Sequence, residues 1–463
     1  MMKHLHRSKW AMAFLGAIVL VAGCDRVKAE LLAPQNPGLV DPNAVANPTA
    51  ALALRIGALG RYKQVQAGEA IWQMAGTLVD EYKNADFEAG RIAADQRLTD
   101  PLVHNWNYNG VTQSRGFIRD AISAMQSYAK DSTALIGDLY VELAFMETTL
   151  ADNFCNGIPL GHTVAGVQTN GAPLTIAQVY DSASAHLDTA ILLSNGGAAG
   201  SFAAYVNNAA RVLKARVLID KDKANAPAAA ALLAAVPTTY QYDMTFSASA
   251  GANGVWALNN STARISVADS FDIIGGSVNV IKNALPFASA NDPRVPVVNG
   301  DLASPKVLAE DGVTKPFYVG LLYKGNFDPL VLYSGVDARL YEAEAKYVAG
   351  DIPGMMTILN ALRAASPTIG AVKVAVMPAL PTPATSDAAL SLLFREKAFW
   401  TFGRGQRLPD LRRLIRQYGR TQENVFPTGV FFKGGNYGVD VNYPIPTSEQ
   451  TNPLFSACLD RKA

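Results

Sequence analysis

The sequence predicts an all-α protein built from tetratricopeptide-like helical hairpins with long loop insertions. Three observations carry that reading. Apolar residues recur with a 3.6-residue period through most of the chain after residue 48. Several of the resulting helices come in close pairs, and the pairs 202–236 and 335–366 each occupy about 32 to 35 residues, near the 34-residue period of tetratricopeptide hairpins. Stacked hairpins bury a shared core that no single pair could bury alone. Gly350-Asp351 and Gly419, placed where the period ends, read as helix stops.

In chain order, residues 1–23 read as a signal peptide. Lys3, His4, His6, Arg7 and Lys9 form a positive start, and Ala11 to Ala22 form an apolar run of 12 residues. That run is too short to span a bilayer as a helix, which needs about 20 residues. It ends in Val21-Ala22-Gly23-Cys24, which resembles the lipobox of bacterial lipoproteins. The resemblance implies lipidation of Cys24 and cleavage before it, with two or more acyl chains giving a stable membrane anchor. Asp25 follows the lipidated residue, a position that in some bacteria affects which membrane retains the protein. Residues 24–47, with three Pro and four Asn or Gln after Cys24, read as a flexible tether.

Residues 48–463 are expected to form one helical domain. The stripe Leu135, Leu139, Leu143, Met146 and Leu150 follows Asp131 or Ser132 as cap, and Leu390, Leu393, Phe394 and Ala398 follow Thr385 or Ser386. Further helices are expected near 49–70, 111–130, 175–195, 202–221, 224–236, 335–349, 353–365 and 406–418. The stretch 237–334 breaks the pattern. It holds Tyr240-Gln241-Tyr242, a Gly/Ala/Ser/Asn-rich run at 247–264 and Asn291-Asp292-Pro293-Arg294. Loops this long are uncommon unless functional, so this insert is the expected ligand-binding region.

Charge excludes one class of partner. The whole chain carries 40 basic and 39 acidic residues; without Lys3, Arg7 and Lys9 the balance is 37 to 39, a net of −2. That leaves no electrostatic footprint for nucleic acid. Arg412, Arg413 and Arg416 form the one dense basic run, and the plain reading is a solvated helix face. Besides Cys24 the chain has Cys155 and Cys458. In an oxidising compartment two cysteines can close one bridge; the alternative is a pair of buried free thiols.

The order of short motifs resembles the SusD/RagB family of outer-membrane nutrient-binding lipoproteins. Tyr443-Pro444-Ile445-Pro446, then Glu449, then Asn452-Pro453 looks like the family's closing pattern. Arg339-Leu340-Tyr341-Glu342-Ala343-Glu344-Ala345 looks like its Ala-Glu-Ala helix, and Asn360-Ala361-Leu362-Arg363 matches the next. Gly405-Gln406-Arg407 with Asp410-Leu411 and Arg412-Arg413, Asp292-Pro293-Arg294, and the turn Asn156-Gly157-Ile158-Pro159 follow the same order. There are departures: Glu396-Lys397 stands where the family has Glu-Arg, Trp400 and Arg404 replace later acids, and the turn reads Asn-Gly rather than Gly-Asp. They mark a divergent branch and bear on the substrate more than on the fold.

The resemblance implies a lipid-anchored protein of the outer membrane, at the cell surface. It would capture an oligosaccharide or peptide nutrient and deliver it to a SusC-type TonB-dependent transporter, with no reaction catalysed and no cofactor. Flat aromatic faces flanked by amides suit pyranose rings. The candidates are Trp256 with Asn253, Asn259 and Asn260, Trp106 and Tyr108 among Asn105, Asn107 and Asn109, and Tyr240 with Tyr242. Trp256 leads, because its surroundings read as small, polar and non-helical. Trp106 has a competing reading as a staple at the start of the helix near 111. Trp72 and Trp400 read as core.

Chemistry-bearing residues read as scaffold. Glu342 and Glu344 point about 200° apart on their helix and cannot act as an acid–base pair. Glu342 can pair with Arg339, Glu344 reads as buried and paired, and Arg407 can pair with Asp410 across one turn. His104, His162 and His186 have no spacing suited to zinc. No phosphate loop or nucleophile motif appears. Two other functions compete: a tetratricopeptide-like envelope scaffold that binds a protein, and a lipid-anchored glycoside hydrolase, for which no carboxylate pair is indicated.

Overall fold

The computed structural model describes residues 46–463 except 69–70, 103–104, 165–166, 250, 304–307 and 371. The signal peptide, Cys24, Asp25 and nearly all of the tether lie outside the described residues. The longer helices are α1 (Pro48–Gly68), α2 (Ile71–Leu78), α3 (Ala89–Asp95), α4 (Asn105–Tyr128), α5 (Thr133–Asn153), α6 (Ile176–Leu193), α7 (Phe202–Lys221), α8 (Ala226–Leu233), α9 (Gly335–Val348), α10 (Ile352–Ala365), α11 (Ser386–Trp400) and α12 (Arg407–Tyr418). The strands, among the described residues, form only two-stranded pairs. The fold is thus all-α, as the periodicity predicts.

Local chemistry sets the helix ends. Ser334 and Asp337 form a reciprocal capping box at α9, and Thr175 with Gln178 does the same at α6. Thr385 accepts from the backbone of Ala388. Such caps are worth about 1 kcal/mol each. Ser132 occupies the cap position of α5 without a side-chain bond. Gly419 ends α12 in the left-handed region, φ 70°, where a Cβ would be strained. One boundary differs from expectation: α4 begins at Asn105, six residues before the apolar stripe announces it.

The two expected hairpins, α7–α8 and α9–α10, stack directly although about a hundred residues separate them in sequence. Helix α8 packs on α9. Arg339 donates to the carbonyls of Leu233 and Val236 at 2.9 and 3.2 Å, tying the C-terminal end of α8 to α9. Gly335 lies so close to the Pro237 carbonyl that a Cβ would collide with it. The chain between leaves and returns on an antiparallel stem, Gln241–Met244 against Leu330–Ser334.

Buried ion networks lock these helices together. Glu344 of α9 accepts from Lys397 of α11 at 2.9 Å, from Tyr418 at 2.7 Å and from Arg413 of α12. Burial alone would raise its pKa, but Arg413 and Lys397 win and hold the carboxyl far below the usual carboxylate range. Glu396 accepts from Arg294 at 2.7 Å and Arg363 at 3.1 Å, with the Arg294 guanidinium 5.1 Å from the centres of the Phe399 and Trp400 rings. Arg404 clamps Asp337. The residues behind the family resemblance are therefore mostly internal braces. The Arg339–Glu342 pair is present at 2.9 Å.

Two expectations about charge fail here. Arg412 and Arg413 are fully buried, not a solvated face, and only Arg416 of the run is exposed. Arg412 donates to the carbonyls of Ala151, Asp152 and Phe154, so it caps the C-terminal end of α5. Arg407 does not pair with Asp410. Asp410 accepts from Lys397 at 2.6 Å and Arg413 at 3.2 Å, while Arg407 lies 5.9 Å from the Phe287 ring centre.

The C-terminal motif is docked onto the helical body. The backbone of Tyr443 bonds Asn153 and Cys155 at 2.8 and 2.9 Å, and its hydroxyl donates to Met74. Tyr443 through Pro446 are buried. Beside this contact Cys155 and Cys458 form a disulfide, with Cα atoms 5.8 Å apart.

Candidate ligand-binding face

Trp256 sits in a short helix, Gly254–Trp256, that continues as a π-turn through Ser261, so its setting is not the non-helical loop expected. Asn253 makes the difference: its side chain accepts from the backbone N–H of Val255 and Trp256, both at 3.1 Å. The indole is half-buried, with one side packed on the core. Nearby, Asn253 holds a turn at residues 324–328 through bonds to Asn326 and Asp328. That turn exposes Phe327 (47%), and Leu321 beside it is 38% exposed. Sequence reasoning missed Phe327; its one signal is an aromatic between Asn326 and Asp328 in a segment without period.

The amides around Trp256 are spent on the backbone. Asn259 is 2% exposed and donates to Ile265 and Tyr318 while accepting from Gly320. Asn260 donates to Gly320 at 2.9 Å. Asn259 is thus a clamp between the short helix and the strand at 318–320, and the structure corrects its expected place at a ligand. A buried amide with both ends bonded cannot turn to a sugar hydroxyl without losing those bonds.

Tyr240 and Tyr242 are corrected in the same way. The Tyr240 hydroxyl donates to the Tyr205 carbonyl at 2.7 Å, and the ring is 9% exposed. Tyr242 stacks between Tyr205 and Tyr333, centroids 5.1 and 5.7 Å away, as part of the core. Its hydroxyl lies 2.6 Å from Asp138 and 2.7 Å from Glu142. One hydroxyl proton cannot serve two carboxylates, so the pair retains a proton. Burial, then the charge of Asp138, pushes Glu142 up to about 8.

Tyr108 is fully buried and meets Phe154 edge to face at 5.0 Å, so it offers no face to a ligand. The side chains of Trp106, Asn105 and Asn107 lie outside the described residues. Asn109 accepts from Ser448 at 2.8 Å. Trp72 and Trp400 are core, as expected. Of the candidate aromatics whose side chains are described, only Trp256 keeps an open side.

Buried acids underlie the loops. Burial, then Asp272, pushes Asp80 up to about 8, and burial pushes Glu81 up to about 7. Asp95 is raised as well, by burial and then by Asp80. Asp80 and Glu81 thus titrate near neutral pH, and Lys83 pairs with Asp272 at 2.7 Å. Among the described residues no group of three or more His, Cys, Asp or Glu is arranged to hold a metal ion. A cavity lined by Arg294, Tyr323, Val331, Trp400 and Arg404 has a volume of about 20 Å³, room for one water and not for a sugar.

No family model matches the sequence, and a search of the curated proteins finds no match. The structure is similar to solved structures. A SusD superfamily protein from Bacteroides vulgatus aligns with TM-score 0.59 and 15% identity, over 89% of this chain and 99% of that one. A laminarin-binding SusD-like protein gives the same four values. NanU of Bacteroides fragilis aligns with TM-score 0.60 and 13% identity, over 92% of this chain and all of that one. At such identities the likeness establishes the fold, which is SusD-like.

Proposed function

We propose that this chain with the SusD-like fold is a SusD/RagB-type lipoprotein of the cell envelope that binds a nutrient at its loop face. The ligand is an oligosaccharide or a peptide, and the bound nutrient passes to a SusC-type TonB-dependent transporter in the outer membrane. Acyl chains on Cys24 hold the protein at the cell surface, and the chain catalyses no reaction. One observation carries the reading: the SusD-like architecture extends over nine-tenths of the chain. The lipobox-like end at Cys24 and the SusD-like motif order support it. Among the described residues no helix is long and apolar enough to cross a membrane, so attachment through Cys24 is the anchor this reading requires.

Trp256 is the proposed stacking residue, with Phe327 as its neighbour on the turn that Asn253 holds. A glycan and peptide array on the purified chain identifies the ligand. Calorimetry on Trp256→Ala then tests the site. Loss of a stacked ring weakens binding about tenfold, or about 1.4 kcal/mol. Unchanged affinity removes Trp256 from the site. Co-purification from detergent-solubilised membranes tests the transporter, and loss of acyl labelling in Cys24→Ser tests the anchor.

A further inference from the structure

Helices α4, α5 and α6 lie side by side, with α5 in the middle. Arg115 and Arg119 stand one turn apart on α4, so their side chains share a face. Arg115 is buried. It donates to Glu147 of α5 at 2.8 Å and to the Gly161 carbonyl at 2.6 Å. The other Glu147 oxygen is taken by His186 of α6 at 2.9 Å. Glu147 is therefore fully used, and the other carboxylate that acts on Arg119 is the exposed Asp120 beside it in sequence.

The next turn carries Arg119. His186 reaches both Glu147 and the Tyr140 ring, with centroids 5.9 Å apart, so it spans two turns of α5. Further along α4, Gln126 bonds the Tyr140 hydroxyl at 3.2 Å. Arg119 lies between Arg115 and Gln126, level with His186 across α5. It is half-buried and makes no hydrogen bond or ion pair with any described residue. His162 follows Gly161, whose carbonyl Arg115 holds, which brings its ring to the same side.

We infer that this face of α4 is an anion subsite in which Arg119 receives the carboxylate of a small acidic ligand, flanked by His162, His186 and the Tyr140 ring. A guanidinium fork matches a carboxylate with two parallel hydrogen bonds. Half-burial strengthens such a pair over a surface one. Burial, then Arg115, lowers the Arg119 pKa against the opposing pull of Glu147 and Asp120, and burial, then Arg119 and Arg115, lowers that of His162. An anion relieves that repulsion. The site lies on the helical body and is independent of the loop face around Trp256.

The test uses the full chain and two sugars that differ at C6. Glucuronate and glucose are titrated by calorimetry at low ionic strength into the protein and into Arg119→Gln. The expected result is saturable glucuronate binding, at least tenfold weaker for glucose and at least tenfold weaker in the variant. Thermal unfolding of the variant, unchanged or slightly raised, shows that the loss is local. Equal glucuronate affinity in Arg119→Gln, or equal binding of both sugars, overturns the inference. Trp256→Ala, which tests the other site, leaves glucuronate binding unchanged.

Discussion

The helical body and the segment 245–329 handle their polar groups in opposite ways. In the body, charged side chains are buried and matched with each other across helices: Glu344 with Lys397 and Arg413, Glu396 with Arg363, Asp337 with Arg404. In the segment, amides such as Asn253, Asn259 and Asn260 bond backbone carbonyls that no regular structure satisfies. The segment and its flanking loops also leave large apolar side chains in water, among them Val278, Val280, Leu308, Val313 and Phe327. A body held by ion pairs across many elements is rigid and cooperative. A crown held by single amides can vary its exposed side chains without unfolding the body, which is what a changing ligand repertoire requires.

The sharpest way to break this comparison is to remove one charge from the body. Glu344→Gln takes one carboxylate from Lys397 and Arg413, both buried, and leaves them Asp410. Breaking a buried pair in this way costs about 3–5 kcal/mol. Urea unfolding followed by circular dichroism should show that loss, with no separate transition for the loops. A loss below about 1 kcal/mol would mean that the network is not what joins α9, α11 and α12.

The matching cut in the crown is Asn253→Ala. It removes the side-chain cap of the short helix and the side-chain bond to the Asp328 carbonyl, while the backbone bond to Asn326 stays, and a buried polar group left unpaired costs about 1–3 kcal/mol. Because the contacts are local, hydrogen exchange should rise at residues 253–261 and 324–328 while α9 through α12 stay protected. Ligand affinity should fall with it, since the turn carrying Phe327 loosens. Uniform exchange across the whole chain would erase the distinction between the two regions.

The same division explains what could be read from the sequence. Helices α7, α9 and α10 were legible to within a residue or two because one side of each is wet, which gives the 3.6 period, and because Ser334, Gly350 and Pro353 punctuate them. Helix α2 was not set apart as an element of its own, since it is only eight residues long and Ile71 through Leu78 are buried on every side, although Ile71, Trp72, Met74, Ala75 and Leu78 keep the helical spacing. Arg412 and Arg413 were misread because a buried arginine and a solvated one look alike in sequence. Their partners, Ala151 to Phe154 and Glu344, lie 258 to 261 and 69 residues away. The site suffered most. An asparagine beside a tryptophan suggests a sugar clamp, and only the tertiary fold says whether a carbonyl has already claimed it, as happened at Asn259.

The smallest expected effect probes where the two regions meet, at the stem residue Tyr242 over Asp138 and Glu142. Glu142 keeps its proton up to about pH 8, well above the unfolded value near 4.5. A carboxyl whose folded pKa is raised stabilises fully below the unfolded value, and that contribution is lost as pH rises through the folded one. Stability from this group therefore declines between about pH 4.5 and 8. Glutamine resembles the protonated acid in shape and cannot ionise. Glu142→Gln should thus change stability by less than about 1 kcal/mol near pH 5, where wild type is already neutral. Above pH 8 it should unfold at higher urea than wild type. Denaturation midpoints across pH 5–9 give the answer: parallel curves for the two proteins would mean that no proton is shared beneath Tyr242 and that the stem rests on an ionised pair like those of the body.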